Sequence, residues 1–308
     1  MIKVQALRKT FTSPVKEPGL MGSLKGLVKR ETKSKDALKS VNLEIQQGEI
    51  IGLIGANGAG KTTLVKILAG IVHPTSGEAT VLGFKPWERH NEYRKQMSLI
   101  MGQKAQVWWD LPALDSFILL KEIYQIEDSL YKKNLEFLAD TLQIHDQLKV
   151  QVRRLSLGER MKVELMAALL HNPRVIFLDE PTIGLDISAQ KAVREFMKNY
   201  QQEFRPITIL TSHYMEDIKE LCPRIVIIKE GEFVYDGALS KIQRLMGDEK
   251  VLSVTTPDKN FKVSVPRTDL SVKTAEIFKS NEVLDLNIHD PSIEDIIESI
   301  MKNGMKTT

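Results

Sequence analysis

The chain of 308 residues contains a single cysteine, Cys222. No disulfide can form within it, and a lone thiol suits a reducing compartment. It also lacks any run of the roughly 18 to 20 apolar residues that a membrane-spanning helix needs. The longest candidates, such as ELMAALL, are cut short by polar residues. The opening stretch MIKVQALRKTF has no long apolar core, so no secretory leader is expected. An excess of one charge is missing too. The 43 Lys and Arg against 40 Asp and Glu leave +3, too even to argue for a nucleic-acid partner from bulk charge. What is present is a 42% hydrophobic composition, enough for a substantial core. The length suits one large domain or two.

The most informative stretch is IIGLIGANGAGKTTLVKILAG, which begins at Ile50. Ile50 to Ile54 is short, apolar and β-branched, and predicts a buried strand. Gly55, Gly60, Lys61 and Thr62 then satisfy G-x-x-x-x-G-K-[ST]. Glycines at these places let backbone N–H groups turn inward around phosphate oxygens. A helix over about Lys61 to Leu68 points its positive dipole end at the same phosphates. Lys61 can reach the β- and γ-phosphates, and the Thr62 hydroxyl can hold Mg²⁺. The loop Gly55, Ala56, Asn57, Gly58, Ala59, Gly60, with Lys61, Thr62 and Thr63, is therefore the expected site for a nucleoside triphosphate.

Such a loop needs an acidic strand for the metal, and VIFLDE at Val175 to Glu180 supplies one. Asp179 emerges at its end, placed to hold Mg²⁺, and Glu180 follows, placed to polarise an attacking water. Upstream, Ser156 and Glu159 form S-x-x-E ahead of a periodic apolar segment. One reading is a helix capping box. Another is a second anion-binding helix start, with the Ser156 hydroxyl and the Gly158 N–H offered to phosphate. The two are compatible.

At this point a family resemblance is plain. LSLGE resembles the signature of the ATP-binding-cassette (ABC) ATPases, usually written LSGGQ, and it lies just ahead of the acidic strand as in that family. Other motifs follow in order. Gln103 in MGQKAQ matches the Q-loop glutamine, which also reaches the metal. Asp186 in IGLD matches the D-loop, and His213 in ILTSHYMED matches the switch histidine. Phe11 in RKTF resembles the aromatic that stacks on adenine, although a phenylalanine there also suits a core. The resemblance covers residues 1–237. It implies an α/β fold, a P-loop NTPase ABC cassette with a RecA-like core, an antiparallel β-subdomain and a helical subdomain at about 104–170. It also implies ATP and Mg²⁺ as ligands, with catalysis by Glu180, His213 and Gln103. Nucleotide contacts are expected from the loop, Phe11, Asp186, Ser156, Gly158 and Glu159. In the family, loop and signature come from two facing subunits, so a second copy or a sister cassette is expected. Leu157 and Glu159 depart from the usual Gly and Gln, which bears on how strongly ATP closes the pair.

The interval from Lys61 to Ser156 holds no heptad block, unlike the chromosome-organising members, and there is one cassette, unlike the translation factors. The expected function is the ATPase of a transporter with a separate integral-membrane permease, acting at the cytoplasmic face of the membrane. GQKAQVWWDLPALDSF, with Trp108 and Trp109, resembles drug-resistance-type export cassettes. In the family this region receives a permease helix, although the tryptophans also suit a core. An insertion at 12–36 carries six Lys or Arg against three Asp or Glu. Leu20, Leu24, Leu27 and Val28 have helical spacing there, suiting a basic amphipathic helix or a solvated loop. A polysaccharide exporter, an importer or a soluble regulatory ATPase without a permease remain as alternatives. From 238 to 308 a small α/β appendage is expected. FKVSV and LDLNI alternate as strands, and Ser292 and Asp295 box a helix carrying Ile293, Ile296, Ile297, Ile300 and Met301 on one face.

Overall fold

The computed structural model describes residues 1–14, 32–102, 105–242 and 249–303. Gln103 and the expected basic helix of the insertion lie outside them. Among the described residues no helix is long and apolar enough to cross a membrane. The chain divides into two compact units, Met1–Phe233 and Val234–Thr308.

Two sheets organise the first unit. In the first, β1 (Ile2–Pro14) lies between β2 (Thr32–Ile45) and β4 (Ser76–Val81), antiparallel to both. The second half of β2 alternates buried and exposed side chains, the pattern of a sheet with one face on a core. The ends of the insertion continue the β1–β2 ladder: Thr12 pairs with Ser34 and Pro14 with Thr32.

The second sheet has the order β5-β6-β7-β3-β8-β9. Its strands are β3 (Ile50–Ile54), β5 (Met97–Met101), β6 (Val175–Asp179), β7 (Ile207–Thr211), β8 (Arg224–Lys229) and β9 (Glu232–Ala238). The pairs β5–β6, β6–β7, β7–β3 and β3–β8 are parallel. Every residue of β3, β6 and β7 is buried, which explains why these segments are mostly apolar rather than alternating, with Thr208, Thr211 and Asp179 as their polar members. Because the strands are parallel, the residues that follow β3, β5, β6 and β7 all emerge at one edge of the sheet. That edge is where ligands of open α/β sheets are held.

Helices cover the sheet. These are α1 (Lys61–Leu68), α2 (Ala113–Tyr124), α3 (Asp128–Leu142), α4 (Leu157–Leu169), α5 (Ile187–Phe204) and α6 (Met215–Leu221). Leu64, Val65, Ile67 and Leu68 of α1 join Leu53, Phe177 and Ile209 of the sheet and Ile2, Leu38 and Val81 of the antiparallel sheet in one core cluster. The loop between β3 and α1 is thereby anchored at both ends.

The second unit is a small α/β fold. Strand β10 (Glu249–Thr255) lies between β11 (Asn260–Pro266) and β12 (Asp285–His289), antiparallel to both. Helix α7 (Leu270–Ser280) contributes Ile277 to a cluster with Leu252, Val254 and Val265. In α8 (Ile293–Asn303) the Ser292 N–H donates to Asp295, and the Asp295 N–H donates to the Ser292 hydroxyl. Ile296, Ile297 and Ile300 are buried.

Leu53, fully buried in the central strand, has no room to be replaced. We expect Leu53→Ala to lose about 2–5 kcal/mol of stability. The readout is a lower urea midpoint with an unchanged slope; an unchanged midpoint would mean that the strand is not part of the cooperative core.

Candidate active site

The loop after β3 needs glycine for steric reasons. A Cβ at Gly55 would lie 2.3 Å from the Ile228 carbonyl oxygen. Gly60 caps α1 with φ +122°, and a Cβ there would meet the Ala37 carbonyl oxygen at 2.5 Å. Ala56, Asn57 and Gly58 stay exposed at the crest, while Ala59 and Gly60 are buried. The loop is therefore pressed onto the protein at its ends and open between them.

Lys61 opens α1 and is 6% exposed. Its ammonium donates to the carbonyl oxygens of Gly55 (2.6 Å) and Ala56 (3.3 Å). Burial pulls its pKa below the ordinary lysine value, and Glu180 and Asp179 pull the other way. A buried cation resting on neutral carbonyls, with an exposed loop above it, suits an anionic ligand.

Asp179 ends β6, 8% exposed. Its Oδ1 accepts from the Thr211 hydroxyl at 2.6 Å and from the Thr62 hydroxyl at 3.4 Å. Glu180 follows with φ +57°, its N–H donating to the Thr211 carbonyl (3.0 Å) and hydroxyl (3.2 Å). The Glu180 Oε1 lies 2.9 Å from the His213 Nε2, with both side chains partly exposed. Lys61, Thr62, Asp179, Glu180 and His213 therefore converge at the carboxyl edge of the sheet.

The Thr62 and Thr211 hydroxyls and one Asp179 carboxylate are hard oxygen donors, the set that suits Mg²⁺ rather than a softer ion. No group of three or more His, Cys, Asp or Glu able to hold a metal occurs among the described residues. With one carboxylate and two hydroxyls as its protein donors, a cation here would take much of its coordination from phosphate and water, which is the habit of Mg²⁺.

Other expected site residues lie apart in their bonding. Ser156 caps α4 in a full capping box: its N–H and hydroxyl donate to Glu159 Oε2 at 2.9 and 2.8 Å, and the Glu159 N–H donates back. Bonds from Ser156 hold the Glu159 carboxyl below its usual pKa. Asp186 caps α5, accepting from the Ala189 N–H at 2.9 Å. A Cβ on Gly158 would stand 3.0 Å from the Ala189 Cβ, so the two helix starts sit side by side. Phe11 is 43% exposed on β1, with the Lys9 ammonium 4.9 Å from its ring centre. The core alternative for it is excluded. Its ladder partner Lys35 reaches within 3.6 Å of where a Cβ on Gly58 would be.

No sequence motif marks Thr211, Lys35 or Glu164. Thr211 is a polar end to an apolar strand two residues before His213, a signal that could have found it. Glu164 is a carboxylate on the buried side of α4, accepting from the backbone N–H of Gln106 (2.8 Å) and Val107 (3.5 Å). Burial raises its pKa to about 7 despite those bonds.

Known proteins resemble this chain in sequence and in fold. A family model described as ABC transporter matches residues 38–183. The ABC transporter ATP-binding protein NatA of Bacillus subtilis (strain 168) is 32% identical over 206 residues, which is 67% of this chain and 83% of that protein. The chain belongs to the ABC transporter ATP-binding proteins. It is an ATPase of that family. The doxorubicin resistance ATP-binding protein DrrA of Mycobacterium tuberculosis (strain CDC 1551 / Oshkosh) is 30% identical over 212 residues, 69% of this chain and 63% of that protein. A solved ATP-binding subunit of an ABC transporter superposes with a TM-score of 0.66 at 24% identity, over 80% of this chain and 93% of that one. A dimeric, post-hydrolysis ATP-binding cassette with ADP and Pi gives 0.63 at 22% identity, over 77% and 98%. Both share the α/β cassette fold described above.

In this ABC protein the buried Glu164 makes a pH-dependent contribution to stability. Its folded pKa of about 7 exceeds the ordinary 4.5, so between these values the folded state holds more protons than the unfolded state. Its contribution is then greatest at low pH and is lost as pH rises through that window. We expect Glu164→Gln to gain melting temperature relative to wild type as pH rises from 5 to 8. A difference that does not change with pH would refute the assignment.

Proposed function

We propose that this chain hydrolyses ATP to drive a separate membrane permease, in the direction of export, at the cytoplasmic face of the membrane. The observation that carries the hydrolytic part is the Glu180–His213 pair, 2.9 Å apart, beside Asp179, Thr62 and Lys61. The backbone N–H groups from Gly55 to Thr63 and the Lys61 ammonium bind the phosphates. Thr62 and Asp179, with Gln103, would hold Mg²⁺, which would supply charge neutralisation at the phosphate oxygens. Glu180 takes up a proton from the attacking water, and His213 steadies both the carboxylate and the γ-phosphate. Phe11 offers a partly exposed ring to adenine.

Ser156, Gly158 and Asp186 serve the nucleotide of a second copy or a sister cassette. The Ser156 hydroxyl points to Glu159, so ATP must win that hydroxyl from a carboxylate before the pair closes. The dimeric cassette among the structural neighbours supports a paired state. The permease reading is supported by the surface after residue 103. Trp108 and Trp109 are 44% and 49% exposed, and Leu111 on the same segment is also exposed. Trp108 is held through its N–H by the Ser116 hydroxyl at 3.1 Å. The Arg160 guanidinium of α4 stands 4.7 Å from the Trp109 ring centre. Exposed tryptophans on a held backbone are the kind of group that anchors a protein interface. Export is supported by the likeness to the drug-resistance protein.

Glu180→Gln is expected to bind ATP normally, to lose turnover by about a hundredfold or more, and to form an ATP-dependent dimer in light scattering. Normal turnover would remove Glu180 from the mechanism. Replacing Trp108 and Trp109 together by Ala is expected to leave basal ATPase unchanged while abolishing co-purification of a multi-spanning partner from native membranes. Undiminished capture would place the docking surface elsewhere.

A further inference from the structure

Glu180 and His213 stand on two different connections, one after β6 and one after β7. Their 2.9 Å approach depends on what holds those connections together beyond the strands. The backbone of Glu180 is tied to Thr211. The chain beyond it is tied to a single side chain, Asp217, the third residue of α6.

Asp217 is fully buried. Its Oδ2 accepts from the Thr182 hydroxyl, two residues after Glu180, and from the Ser212 hydroxyl at 2.7 Å, one residue before His213. Ser212 in turn accepts the Tyr214 N–H at 3.0 Å, so the backbone on both sides of His213 is fixed by one hydroxyl. Thr182 is 2% exposed and Ser212 6% exposed. The other oxygen, Oδ1, accepts from Arg194 Nη1 of α5 at 3.0 Å. Arg194 is itself buried and lies 2.9 Å from Glu220 Oε1, an ion pair without the alignment of a hydrogen bond. Burying a carboxylate is costly unless it is paired and fully bonded, and here all its partners are supplied from three chain segments. Two of those segments carry the proposed catalytic pair.

We propose that Asp217 is a positioning residue for ATP hydrolysis: it clamps Thr182 to Ser212 and so sets the separation of Glu180 and His213. Arg194 holds the other carboxylate oxygen and keeps it aimed. The clamp does not touch nucleotide. It acts on the chemical step, because small misplacements of reacting groups cost far more rate than binding. The proposal rests on the roles assigned above to Glu180 and His213.

The test uses the full chain and near-isosteric changes at the two hydroxyls: Thr182→Val removes the bond to Asp217, and Ser212→Ala removes that bond together with the one from the Tyr214 N–H, neither emptying the site. Thr182→Val and Ser212→Ala are each expected to lower kcat about tenfold with KM for ATP unchanged, measured well below the melting temperature. Thr182→Ser, which restores the hydroxyl, is expected to return most of the rate. A variant that melts earlier but turns over normally per folded molecule would show a purely structural role and overturn the proposal. So would a loss of rate that Thr182→Ser fails to recover. Glu180→Gln, measured alongside, separates the two readings. If it retains turnover, the catalytic roles fail. If it is inactive while Thr182→Val is normal, only the clamp fails.

Discussion

A lysine ammonium buried to 6% exposure, resting on two backbone carbonyls, is the constraint from which most of this active site follows. Asp179 and Glu180 are close enough to oppose the effect of burial on Lys61, so the carboxyl edge holds a cation and two carboxylates in one small volume. The parallel sheet makes this possible. It brings the ends of β3, β6 and β7 to one edge and buries all three strands. Hydrogen bonds from Thr62 in the first turn of α1 and from Thr211 at the end of β7 then meet on Asp179 at the end of β6.

A second pole lies at the starts of α4 and α5. There Ser156 and Asp186 are satisfied by their own helices, through Glu159 and Ala189. These helix starts are packed beside one another, with Gly158 against Ala189. The proposed pairing of two chains would set the phosphate-holding pole of one against the helix starts of the other. The carboxylate at Glu159 makes that docking compete with an existing hydrogen bond rather than meet a free hydroxyl.

Much of this was legible in the chain itself, for local reasons. The strand at Ile50–Ile54 and the helix at Lys61–Leu68 stand where the apolar run and the glycine loop place them. The capping boxes at Ser156 and Ser292 form as their spacing predicts. What sequence could not show is long-range. Thr211 meets Asp179 only because β6 and β7 are neighbours in the sheet. Thr182, Ser212 and Asp217 are unremarkable polar residues until folding brings them to one carboxylate. Glu164 reads as a solvated charge in an amphipathic helix until α4 turns it onto the backbone of Gln106 and Val107. The exposure of Trp108, Trp109 and Phe11 also decided between a core and a surface role, which composition alone leaves open.

The central claim is that one chain holds one half of a hydrolytic site. The most direct measurement is phosphate release per chain as a function of protein concentration, at saturating ATP and Mg²⁺, with the association state followed by sedimentation. The account predicts specific activity that vanishes as the chain becomes monomeric and rises to a plateau as it pairs. Constant specific activity in samples shown to be monomeric would contradict it, and would mean that the residues gathered around Lys61 complete the reaction alone.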